Sequence, residues 1–395
     1  MRSIDLTYCT NVHALGTPEA WFAALKYFGP AVRAQLGWTD MPLGLWWQAP
    51  LAEAAARDPE PTARFLREHG LRAFTCNAFP YGNFHDAVVK TKVYHPDWST
   101  PERLRYTQHC ATALAALLPE AGFGTLSTLP LGWRHDWSPD KTARAVEQLL
   151  AWVDFAADLE RRSGKRLALA LEAEPGCILE RTPQVLAFWR DALLPKARRE
   201  APLLRHLGLC YDTCHQAIQF EDPEEALDAL RRAGIPVHKM QLSSGLAFAA
   251  DPARASLPSR QAFAEPRFLH QTRARGAAGI VDYDDLPDAM AGADWSLPWR
   301  THFHLPLQAE RLLDSEAVGT TRGDMLRAYR FALKHDLCRH FEVETYTWSV
   351  LPEQERPAND EALAVAMARE IAFIVEQTPA DVRIAGRQER PAPRA

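Results

Sequence analysis

The chain has 395 residues, 47% of them hydrophobic, and a formal net charge of −5. That apolar content supports a sizeable core in one or two domains, and the acidic balance excludes a basic nucleic-acid surface or a polybasic membrane patch. No apolar run reaches the roughly eighteen residues of a membrane span, and the start, Met1-Arg-Ser-Ile-Asp-Leu6, has no apolar export signal. The expectation is therefore a cytoplasmic protein with no nucleic-acid partner and no membrane insertion, whose seven cysteines, lacking any Cys-x-x-Cys pair, stay as thiols.

Short runs rich in branched and aromatic residues alternate with polar turns and amphipathic helical stretches. Strands are predicted at 4–10, 43–48, 73–77, 125–130, 167–172, 208–212, 238–243 and 341–345. Helix starts share one form, an N-cap oxygen followed by Pro and then mostly an acid. It recurs at Thr17-Pro18-Glu19, Asp58-Pro59-Glu60, Thr100-Pro101-Glu102, Ser138-Pro139-Asp140, Thr182-Pro183-Gln184 and Asp222-Pro223-Glu224. Helices are predicted over 102–118, 141–162, 224–233 and 323–335, with apolar residues at helical spacing across 151–159.

Eight strand–helix units favour a closed (β/α)8 TIM barrel, an α/β fold, over an open doubly wound sheet. No Gly-x-Gly-x-x-Gly follows the first strand, which argues against a dinucleotide fold. The barrel is expected to span 1–377 as a single domain. Residues 245–314 form a long insertion between strands 7 and 8, too long for a plain connection and so placed near the site mouth. Residues 378–395, rich in Pro, Arg and Ala, read as a disordered tail.

In such a barrel the site lies at the C-terminal strand ends. Strand five ends in Glu172-Ala-Glu174, strand six in Asp212-Thr-Cys-His215, strand seven in Gln241-Leu-Ser-Ser244 and strand eight in Glu342-Val-Glu344. The insertion carries Arg300-Thr-His302-Phe-His304. Residues two apart on a strand share a face, and ionised groups facing a tight interior are costly unless paired or metal-bound. Asp212 reads equally as the cap of the next helix, and His215 as a surface residue. Carboxylates and imidazoles gathered at three strand ends favour a divalent metal site.

At these residues the chain resembles the xylose-isomerase-like barrel superfamily, which includes sugar epimerases and apurinic endonucleases. Asp212-Thr-Cys-His215 looks like its strand-six motif, Glu172 and Glu344 like its strand-five and strand-eight metal glutamates, and His302-x-His304 is similar to a segment of the endonuclease branch. Gln241 stands where the superfamily usually has a histidine ligand. A closer resemblance, spread from Leu6 to Trp348, is to the metabolite-traffic barrel protein of the bacterial ebo cluster. It rests on Leu6-Thr-Tyr-Cys-Thr-Asn-Val-His13, Asn77-Ala-Phe-Pro-Tyr-Gly-Asn-Phe-His85, Val93-Tyr-His-Pro-Asp-Trp98, Leu171-Glu-Ala-Glu-Pro-Gly-Cys177, His302-Phe-His-Leu-Pro306 and Glu342-Val-Glu-Thr-Tyr-Thr-Trp348.

The resemblance implies a divalent metal, zinc or manganese, held by a set drawn from Glu172, Asp212, His215, Gln241, His302, His304 and Glu344. Glu172 and Glu344 would move a proton, as in isomerases and epimerases. Substrate contacts are expected from Asn11, His13, Trp47, Asn77, Phe79, Trp133, Glu174, Ser243, His270, Arg300, Tyr346 and Trp348. The ligand would be a small metabolite, with other products of the same gene cluster as partners. A non-catalytic metabolite carrier and an endonuclease-like metal hydrolase are the alternatives. Strands one to four supply aromatics such as Tyr8, Trp46, Trp47, Phe79, Tyr81, Trp133 and Trp137, while polar groups gather on strands five to eight. That division predicts a two-sided pocket for an aromatic or prenylated ligand.

Overall fold

The computed structural model describes residues 2–13 and 16–387. Seven parallel strands come first: β1 (Arg2–Cys9), β2 (Met41–Trp46), β3 (Leu71–Asn77), β4 (Phe123–Thr128), β5 (Arg166–Glu172), β6 (Leu207–Asp212) and β7 (Val237–Leu242). An antiparallel sheet follows, made of β8 (Ser244–Phe248), β9 (Thr272–Gly276), β10 (Gly279–Tyr283), β11 (Trp299–Leu305) and β12 (Val318–Thr320). β13 (His340–Val343) then pairs with β7 on one side and β1 on the other, which closes the eight-stranded barrel. The chain is a (β/α)8 barrel with a second sheet inserted between its seventh and eighth strands.

The barrel strands read as continuous apolar runs because helices cover one face and side chains fill the other. In β5 every residue from Leu167 to Glu172 is buried. Three of the six Pro-led starts are built as the sequence predicts; Thr100 makes no cap bond, Pro59 itself caps the helix Glu60–Glu68, and Thr182 lies inside a helix capped at Arg181. Pro18, Pro139 and Pro223 open helices capped by Thr17, Ser138 and Asp222, whose side chains accept backbone N–H bonds from the first turn. The helix Pro139–Ser163 lays Val146, Leu149, Trp152, Val153 and Ala156 on the barrel wall. Among the described residues, no helix is long and apolar enough to cross a membrane.

Two expectations need correction. The segment 378–395 is not a free tail throughout. Val382–Ile384 forms β14, which pairs in parallel with Arg2–Ile4 of β1, while residues 388–395 lie outside those described. The insertion also runs further than 245–314, from β8 at Ser244 to β12 at Thr320. The added sheet stands on the barrel through polar contacts. Arg273 pairs with Glu180 (2.9 Å), Arg181 with Asp282 (2.7 Å), Arg134 with Asp284, and Lys90 with Asp285 (2.5 Å).

The barrel interior holds charge beneath the site. Lys239 and Glu342, both fully buried, pair at 2.6 Å. The carboxylate fits only because Gly44 has no side chain: a Cβ there would sit 1.6 Å from Glu342 Oε1. At the base of the barrel, His340 stacks on Phe123 (4.6 Å between centroids), packs near Phe74 and lies 3.0 Å from Thr125 Oγ1 through Nδ1. Burial pushes its pKa down to about 3.

That shift sets a pH dependence. The folded pKa of about 3 lies below the unfolded value of about 6.5. Below the unfolded value the unfolded chain binds a proton that the folded chain refuses, so stability is lost as pH falls from about 6.5 towards the folded pKa. At pH 5 this one residue costs about 2 kcal/mol. The urea midpoint is expected to fall between pH 7 and pH 5, and His340→Asn should flatten that fall even if it lowers the midpoint at pH 7. An unchanged slope in the variant would show that His340 does not contribute to it.

Candidate metal centre

The site begins with a cap. Asp212 ends β6, and its Oδ1 accepts the N–H groups of Cys214 (2.8 Å) and His215 (2.9 Å) and the hydroxyl of Ser243 (2.8 Å). These bonds start the helix Thr213–Ile218 and turn His215 inward. The other carboxylate oxygen, Oδ2, is buried without a partner. The capping reading and the site reading of Asp212 are therefore both true, one for each oxygen.

β11 is not a barrel strand, yet its His302 and His304 share one face and meet His215. The three Nε2 atoms lie 3.1 Å (His215–His302), 3.0 Å (His302–His304) and 3.4 Å (His215–His304) apart. Three nitrogens bound tetrahedrally to one zinc at about 2.0–2.1 Å would be about 3.3–3.4 Å apart.

The hydrogen bonds on the far sides of the rings decide what these nitrogens carry. Gln271 Nε2 donates to Tyr94 Oη (2.9 Å) and to the Pro175 carbonyl (3.0 Å), so its Oε1 is the atom facing His302 Nδ1 at 2.7 Å. His304 Nδ1 faces the Glu344 carbonyl at 2.6 Å. Both Nδ1 atoms must therefore carry the proton, and in neutral rings both Nε2 atoms present bare lone pairs to each other. Burial keeps all three rings neutral. It depresses His215 to about 4, lowers His304, and, with repulsion from His215 and His304, holds His302 well below the usual imidazole range. Lone pairs facing each other at that distance repel unless a cation lies between them.

Carboxylates complete the cluster. One oxygen each from Glu172, Asp212 and Glu344 lies within 4.8 Å of the others, and Asp212 also reaches His215 and His304 within that limit. Glu344 Oε1 accepts the amides of Asn11 (2.9 Å) and Asn77 (2.7 Å). Glu172 Oε2 is buried without a partner, and Glu172 Oε1 lies 3.6 Å from His215 Nδ1. Burial first, then repulsion from the neighbouring carboxylates, holds Glu172 and Glu344 well above the ordinary carboxylate range. A divalent cation would let them ionise. The donors present thus fit such an ion, the imidazoles suiting zinc and the carboxylates manganese.

The cluster opens into a cavity lined by Asn11, Asn77, Phe79, Glu172, Glu174, His215, His302, His304, Glu344 and Tyr346 among the residues expected to form a site. Glu174 accepts from Tyr94 Oη at 2.9 Å, and burial pushes its pKa up to about 8.

Other expected contacts do not line this cavity. His13 stacks on Phe28 (4.2 Å). Trp47 packs with Trp21, and its carbonyl accepts from Tyr106. Trp133 stacks on Tyr94 (4.8 Å), supporting it without reaching the cavity. Ser243 is spent on Asp212. Gln241, paired in register with Asp212, gives Oε1 to the Cys210 thiol (3.0 Å). His270 packs on Phe303, and its Nδ1 donates to the His302 carbonyl (2.8 Å). Arg300 pairs with Asp324 (2.8 Å), and Trp348 is buried in the turn after β13. Tyr94, Phe84 and Phe268 enter the picture only from the structure, and Gln271, which the sequence offers beside His270 as a lid contact, lies at the site itself. Tyr94 and Gln271 hold Glu174 and His302, and Phe84 and Phe268 wall the cavity.

No family model and no curated protein matches the chain. Several solved structures do. A xylose isomerase domain protein from Alicyclobacillus acidocaldarius is 13% identical, with 94% of this chain and 99% of that one covered and a TM-score of 0.49. The IolI protein, solved with a bound zinc atom, is 11% identical over 94% and 98% at 0.48. A D-tagatose 3-epimerase-like protein is 10% identical over 95% and 99% at 0.49.

If Gln271 fixes the His302 tautomer, then Gln271→Leu should weaken zinc binding about 10- to 100-fold, the usual cost of losing a partner behind a metal ligand. Chelator-competition titration measures this. Wild-type affinity in the variant would remove Gln271 from that role.

Proposed function

We propose that the protein is a divalent-metal-dependent enzyme of the isomerase or epimerase type. It would act on a small metabolite bearing a carbonyl beside a hydroxyl-bearing carbon. The observation that carries this reading is the facing pair of Nε2 lone pairs on His302 and His304, which calls for a cation at the floor of a cavity also lined by Glu172 and Glu344. Such an ion would polarise a substrate oxygen and acidify the neighbouring C–H.

The chain's own residues supply the rest. Glu172, with one oxygen free of hydrogen bonds, is placed to take a proton from that carbon. Glu344, its Oε1 anchored by Asn11 and Asn77, lies in the same cluster and is placed to return one. Burial gives both groups a proton affinity far above that of an exposed carboxylate, which suits proton transfer near neutral pH. Phe79, Phe84, Phe268 and Tyr346 support a small apolar portion on the ligand. The resemblance to the metabolite-traffic barrel of the ebo cluster supports a ligand handed on by other products of that cluster. A carrier that binds without proton transfer would keep the same cavity, so exchange chemistry separates the two readings.

In deuterium oxide, the zinc- or manganese-loaded protein is expected to exchange the proton alpha to the carbonyl of a bound α-hydroxyketone, read by NMR. Glu172→Gln and Glu344→Gln should each slow exchange by at least about a hundredfold while retaining the fold. Exchange that survives in both variants would overturn the assignment of these carboxylates. No exchange in the wild type would favour the carrier.

A further inference from the structure

The cavity is small and has a largely apolar wall. Phe79, Pro80, Phe84, Val89, Val93, Phe268 and Leu269 make most of its outer wall. Phe84, Phe268 and Tyr346 close on one another with ring centroids 4.9–5.1 Å apart, and Tyr346 packs against His304 at 4.6 Å. The space left inside is about 50 Å³, enough for roughly three to five water molecules.

Among the described residues that line the cavity, Lys90 is the one lysine or arginine, and it is already committed. Its ammonium pairs with Asp285 Oδ2 at 2.5 Å. Asp285 is itself fixed, because its Oδ1 accepts the backbone N–H groups of His270 and Leu286, both at 3.0 Å. Arg267, beside Phe268, donates to Ser349 at 3.2 Å. The floor is built from the carboxylates of Glu172 and Glu344 and from three imidazoles, with Asp212 beside them. Beneath it Lys239 is already paired with Glu342.

From these features we infer that the substrate is an uncharged, compact hydroxycarbonyl compound with an apolar end, and that phosphorylated compounds are excluded. This rests on the metal-centre reading above and names the substrate class of the same site. The oxygen-bearing end faces the His and Glu cluster, and the apolar end lies against Phe79, Phe84 and Phe268. A phosphate would meet carboxylates on the floor and aromatic rings on the wall, and the one lysine that lines the cavity is already paired with Asp285.

The test uses the full-length, metal-loaded protein and two probes of similar size, hydroxyacetone and inorganic phosphate, titrated by calorimetry at pH 7.5. Hydroxyacetone is expected to bind at least about tenfold more tightly than phosphate, since a phosphate would lose its hydration to carboxylates and apolar rings that do not replace it. Asp285→Asn keeps the Oδ1 acceptor but releases Lys90, and should raise phosphate affinity about tenfold with little effect on hydroxyacetone. Phosphate binding as tightly as hydroxyacetone, or neither probe binding to metal-loaded protein, would overturn the inference and leave the metal centre standing. A protein that takes up no metal at all would overturn both.

Discussion

Two buried imidazoles whose lone pairs meet 3.0 Å apart form the constraint on which the rest of the site depends. Each ring has its Nδ1 proton committed, one to the Gln271 side chain and one to the Glu344 carbonyl. Neither ring can relieve the repulsion by moving its proton to Nε2, since that would place a bare Nδ1 against an acceptor oxygen. Protonation is the other way out, and burial opposes it at all three histidines. A cation resolves the conflict and at the same time lowers the cost of ionising Glu172 and Glu344. The surrounding polar order follows from keeping those groups in place. Asp212 caps the helix that carries His215, Asn11 and Asn77 hold Glu344, and His270 holds the backbone of His302.

The centre is also a junction. His215, Glu172 and Glu344 belong to the barrel, whereas His302, His304 and Gln271 belong to the added sheet or its approach. An ion bound there joins the two, alongside the ion pairs made by Arg134, Arg181 and Arg273. Surface pairs of this kind contribute little individually, but Arg273 and Glu180 are buried and matched. The sheet therefore arrives at the barrel with its charges already satisfied, which leaves the imidazole cluster free to be completed by a metal.

Much of the barrel was legible because parallel strands buried on both faces read as apolar runs and because Pro-led caps mark the helices. The strand-end carboxylates followed from the fold: Glu172, Asp212 and Glu344 stand where the chain leaves the barrel. The added sheet was not legible. Its strands are short and carry Arg273, Arg275 and Asp282, whose burial or pairing depends on the partner strand. Register explains the clearest error near the site. Thr272 pairs with Thr301, which puts Gln271 beside His302 and leaves His270 behind it, and a one-residue difference on a strand exchanges the faces. His13, Trp47 and Trp133 follow barrel strands as expected, but position after a strand does not say which way a side chain turns. Each found an aromatic neighbour in the packing layer instead.

X-ray absorption at the metal edge of zinc-reconstituted protein tests the central claim most directly. The account predicts three imidazole nitrogens at about 2.0–2.1 Å with carboxylate oxygen completing the shell, and loss of one imidazole in His302→Ala. A shell of oxygens alone, or one unchanged by that substitution, would contradict it, because the three histidines would then converge on nothing.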